Sequence, residues 1–96
     1  MRRCSKRWLD EDCPEGVVAI IDNPAFTDRY TIIYNYVNDG HVTYLGTNSS
    51  GSFSGHGFMQ THEVSAYRYR EKNRYIRWSD LPDTVKAMVR SDLGKV

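Results

Sequence analysis

The chain has 96 residues and a formal net charge of +1, which bounds it to one domain with no global pull toward nucleic acid or an anionic membrane. No stretch approaches the ~18 consecutive apolar residues of a membrane span. The basic N-terminus lacks a following apolar run, and two cysteines without an export signal set the expectation of reduced thiols in a cytoplasm.

Residues 1–16 read as a charged arm. Arg2, Arg3, Lys6 and Arg7 are followed by Asp10, Glu11, Asp12 and Glu15, and the runs nearly cancel. Trp8 and Leu9 are the bulky apolar residues able to tuck the arm onto the domain, and Pro14-Glu15-Gly16 marks a turn. Residues 17–96 then form the domain. "VVAII" (17–21) is a short β-branched run bounded by turn residues, the signature of a buried strand.

"RYTIIYNYV" (29–37) alternates with Tyr30, Ile32, Tyr34 and Tyr36 on one face and Thr31, Ile33, Asn35 and Val37 on the other. Both faces of this strand are therefore expected to be at least partly covered. "NDG" (38–40) predicts a tight hairpin, because Asp-Gly readily supplies positive φ, and "HVTYLGT" (41–47) returns as its partner. "GTNSSGSFSGHG" (46–57) reads as a flexible Gly/Ser loop anchored by Phe53.

"AYRYREKNRYIRW" (66–78) holds four aromatic rings and five cations in thirteen positions. Its charge is +4 while the rest of the chain is net −3, so a balanced protein carries one basic strip. Read at strand period, the strip is a hairpin of two short strands turning at "EKN" (71–73). The first strand then separates Tyr67 and Tyr69 from Arg68 and Arg70.

At the C-terminus, "SDLPDTVKAMVRSDLGK" has Pro82 in a first turn and the stripe Leu81, Val85, Met88, Val89 and Leu93, which predicts an amphipathic helix ending at Gly94. The expected fold is α+β: a small antiparallel sheet of four to five strands, packed by one C-terminal helix in two layers.

The common chemistries lack their spacings. Cys4, Cys13, His41, His56 and His62 offer no close cysteine pair and no ligand spacing of a zinc site, so neither metal nor cofactor is expected. The glycines of 46–57 lack the Lys-Ser/Thr of a phosphate loop, and no elbow positions Ser52 or Ser54 near His56. An enzyme built on His56, His62 and Glu63 requires those side chains to meet in a cleft. The favoured class is binding. Tyr67, Arg68, Tyr69, Arg70, Lys72, Arg74 and Arg77 are the partner-contact residues, because Tyr and Arg dominate protein hot spots. Single-stranded DNA or RNA is the alternative partner, and it requires rings and cations on one accessible surface.

"DRYTIIYNY" (28–36), "YLGTNSSGSFSGHGFMQTHE" (44–63) and "IRWSDLPDTVKAMVRSDL" (76–93) together resemble a loose set of small, mostly uncharacterised proteins of bacteriophages and mobile elements. Their pattern has an Asp-Arg-Tyr-Thr-Val-Val-Tyr strand, a Tyr-x-Gly-Met segment, a Gly-Phe-Gly-Gln-His-Gly-Glu loop and a terminal Leu-Pro helix. Gln60 and Glu63 match it, whereas Thr47 stands for the Met and Met59 for a glycine. The resemblance implies a non-enzymatic protein of the host bacterial cytoplasm. It would bind and block a host protein or nucleoprotein complex, as anti-CRISPR proteins block defence complexes. No catalytic residue follows from it.

Overall fold

The computed structural model describes residues 12–25, 27–50 and 54–94. The expectations placed on the arm (Trp8, Leu9, a Cys4–Cys13 bridge) and on Phe53 lie outside these residues. Four strands, β1 (Val17–Asp22), β2 (Tyr30–Asn38), β3 (His41–Thr47) and β4 (Ser54–Gln60), form an antiparallel sheet in sequence order. Helix α1 (Thr61–Arg70) follows, then 3₁₀ turns at Lys72–Arg74 and Trp78–Asp80, and finally helix α2 (Asp83–Leu93). The α+β class, the antiparallel sheet and the packing of the C-terminal helix on it are as the sequence predicts.

The alternation in β2 divides two cores. Ile32 and Tyr34 join Ile20, Leu45 and Trp78 beneath Leu81, Val85 and Val89 of the C-terminal segment. Ile33, one residue away, joins Ala19, Ile21 and Val42 on the opposite face, where Val64 and Tyr67 of α1 and the ring of Tyr75 lean against it. Period-two alternation buried on both sides is what a strand covered by two layers requires. The β2–β3 turn follows its sequence: Asp39 has φ 57° and Gly40 φ 77°, the two successive positive values of a tight hairpin. Cys13 is already in the first core, so the folded body takes in the end of the stretch read as an arm.

Two readings need correction. Residues 66–78 are not a hairpin. Thr61–Arg70 is a helix, started by a reciprocal box in which the Gln60 backbone donates to Glu63 Oε1 at 3.3 Å. Only Val64 and Tyr67, an i,i+3 pair, touch the core, and no residue of α1 is fully buried. So narrow an apolar face leaves no helical period to detect, and the tyrosines then suggest a strand. A strand-like remnant survives at Tyr75–Ile76, where Tyr75 bridges Ile21 and Ile76 N–H donates to Ile20 O at 3.0 Å. This covers part of the free edge of β1. The second correction concerns the Gly/Ser loop, whose last residues, 54–57, belong to β4 and pair in register with β3.

The end of α2 is tied down by one carboxylate. Asp92 accepts a hydrogen bond from the buried Tyr34 hydroxyl at 2.6 Å, and its other oxygen lies 2.7 Å from His56 Nε2 on β4. Asp92→Ala is expected to lower stability by about 1–3 kcal/mol, the cost of removing the acceptor of a buried donor. His56→Ala should cost less than about 1 kcal/mol, as its side of the pair is half exposed. Urea unfolding midpoints check both, and equal losses would shift the weight to the ion pair.

Candidate functional site

The basic strip folds into a surface on which cations lie over rings. Arg68 turns inward, donating from Nε to the Tyr75 hydroxyl at 2.8 Å with its guanidinium 5.7 Å from that ring. Arg70 lies 5.2 Å from the centroid of Tyr67, and Lys72 Nζ lies 4.1 Å from that of Tyr69. Glu71 sits beneath, its carboxylate 3.9 Å from Arg70 and 3.5 Å from Arg74, and accepts a long bond from Asn23. This anchors the 72–74 turn to the β1–β2 connection. Arg77 stands apart, with Asp80 3.9 Å from its guanidinium and accepting its backbone N–H.

The helical turn separates the two tyrosines that a strand would have placed together. Positions two apart on a helix point away from each other. Tyr67 therefore faces the sheet and is half-buried, while Tyr69 faces solvent with 70% of its surface exposed. Tyr69, Arg70, Lys72 and Arg74 form an accessible cluster at the end of α1, whereas Tyr67 and Arg68 serve as its underside.

Beside this cluster runs a groove of about 750 Å³ between α1 and the sheet. Tyr44, Phe58, Met59 and Tyr67 give it apolar walls, and Asp28, Thr31, His62, Glu63 and Arg70 its polar groups. Nothing in the strip pointed to it. The one usable signal lay across the strands: Tyr44 pairs with Gly57, and the Tyr44 ring lies where a Cβ on Gly57 would be. The histidines and the acid considered for catalysis are divided. His56 is turned toward α2 by Asp92, whereas His62 and Glu63 sit in the first turn of α1, with Glu63 taken up by the N-terminal box. Among the described residues no three His, Cys, Asp or Glu gather as metal ligands, and no helix is long and apolar enough to cross a membrane.

Burial raises the pKa of the Tyr67 phenol above the ordinary value of 10.0, partly offset by a hydrogen bond with Thr31. A raised folded-state pKa means that the folded chain holds this proton more tightly. Its contribution to stability is complete below the ordinary tyrosine range and is lost as pH rises through the folded value. Phenolate absorbance during an alkaline titration should contain a late component that disappears in Tyr67→Phe. Comparison with protein-family models, curated proteins and solved structures finds no match to this chain.

Proposed function

We propose that this chain is a non-enzymatic binding protein that captures and blocks a host protein through the end of α1 and the turn after it. Its likeness to small phage and mobile-element proteins suggests that the partner belongs to a bacterial defence complex, in the cytoplasm where such a partner resides. The carrying observation is Tyr69: a large ring 70% exposed, with Lys72 Nζ over it. An accessible aromatic ringed by cations is the composition of a protein hot spot. Arg70 and Arg74 extend the cluster, and Glu71 holds it in place from below. The partner surface that complements it is acidic.

A second reading has its own support. Lys72 over Tyr69 and Arg70 over Tyr67 put cations and rings on one surface, as a single-stranded nucleic acid platform needs. That platform is small, with Tyr69 the more exposed of its two rings, which favours the protein partner.

Pull-down from a bacterial lysate with mass-spectrometric readout tests the first reading. Tyr69→Ala and the double reversal R70E/K72E should each lower recovery of the captured partner at least tenfold, about 1.4 kcal/mol, without moving the unfolding midpoint. Unchanged recovery overturns the assignment. Fluorescence anisotropy with oligo(dT) and oligo(U) tests the second: binding that falls steeply with salt supports it, and none at low salt removes it.

A further inference from the structure

The groove continues along the sheet as a second, smaller trough of about 180 Å³ that crosses β3 and β4. Its floor is glycine. Gly46 and Gly55 are register partners, with Gly57 next along the same face of β4. Two side chains lie over that floor because the glycines leave room: Tyr44 over Gly57, and Asp28 over Gly46, where a Cβ would come within 2.6 Å of Asp28 Oδ2. Above Gly55 there is open space, with nothing within 4 Å of a Cβ built there. Asp28 takes no hydrogen bond or ion pair among the described residues. The trough is thus an aromatic and carboxylate slot, not a neutral void.

It also opens at an edge. β4 pairs only with β3 among the described residues, so its outer N–H and C=O groups are available to another strand. β4 carries no Pro or Lys of the kind that blocks such pairing. A strand added there lies about 4.8 Å outside β4 and roughly 10 Å from β3. A residue set opposite Gly55 therefore reaches Asp28 only if its side chain is long, and a positive charge at its end pairs with that carboxylate.

We propose that the β4 edge receives an extended polypeptide strand, and that the trough takes one arginine or lysine side chain of that strand, laid across Gly55 to the carboxylate of Asp28 beside the ring of Tyr44. Main-chain pairing supplies affinity and the slot supplies specificity, with the guanidinium well matched to a carboxylate and a ring face. A second copy of this chain is a poor occupant, since β4 contains no Lys or Arg to fill the trough. The charge the trough offers is the carboxylate of Asp28, opposite in sign to the α1 cluster, and the β4 edge beside it lies outside that cluster.

The test is titration of the ¹⁵N-labelled protein with the peptide acetyl-Thr-Val-Arg-Val-Thr-amide, followed by NMR. Saturable shifts of the Ser54–Gln60 amides are expected, with binding at least tenfold weaker when citrulline replaces the arginine. Asp28→Asn should erase that preference. Gly55→Val, which has room for its side chain in the free protein, should fill the trough and weaken binding while keeping the fold. Lys72→Glu, at a residue that lines neither the groove nor the trough, should leave the titration unchanged. Several outcomes overturn the proposal: equal binding of the citrulline peptide, undiminished binding to Asp28→Asn, or binding by a backbone N-methylated peptide. So do shifts confined to α1, agmatine binding as tightly as the peptide, or concentration-dependent dimerisation through β4 in sedimentation.

Discussion

Ile32 and Ile33 are adjacent in β2, point to opposite faces and are both fully buried. A strand that must be dry on both sides needs cover on both sides, and the rest of the molecule follows from how unequally that cover is provided. On the Ile32 face, α2 brings Val85 and Val89, and Trp78 and Leu81 enter with the turn before it. On the Ile33 face, the cover is a helix with one i,i+3 apolar pair, plus the ring of Tyr75. The first face is sealed. The second is sealed over β1, β2 and Val42 of β3, and opens beyond it toward Gly46 and Gly55.

The groove is the uncovered remainder. α1 leaves β4 directly and reaches back over the sheet, so the space above β3 and β4 is roofed on one side only. Glycines keep it open. Gly46 and Gly57 accept side chains laid flat upon them, and both the Asp28 carboxylate and the Tyr44 ring depend on that. Among the described residues the outer edge of β4 has no pairing strand, whereas the edge of β1 is partly closed by Tyr75–Ile76. Open surface gathers where packing is thinnest, and less buried area is left to hold α1 in place.

The basic strip shows how one composition serves two purposes. Arg68 is spent on fixing α1 to Tyr75, and Glu71 on fixing the following turn. What remains outward is Tyr69 with Lys72, Arg70 and Arg74. Exposed arginine and lysine stems over rings cost little desolvation and keep the cations poised. The inner half of the strip fixes the surface on which its outer half stands exposed.

Much of the fold was legible because its signals are local. β-Branched residues in 17–21, the alternation of 29–37, the Asp-Gly turn and the stripe from Leu81 to Leu93 each state their structure within a few residues. Composition alone marked the basic strip as the place where charge concentrates. Its geometry was decided elsewhere. Whether 61–70 is strand or helix turned on a Gln60–Glu63 box and on a sheet face able to receive only Val64 and Tyr67. That choice sent Tyr67 inward and Tyr69 outward, which no pattern of alternating residues could reveal. The trough is more distant still: Asp28, Tyr44, Gly46 and Gly55 come together only through strand register, a relation between residues far apart in the chain. Local periodicity determined the elements. Register and incomplete cover, which exist only once the sheet has formed, decided where the surface is open and which side chains line it.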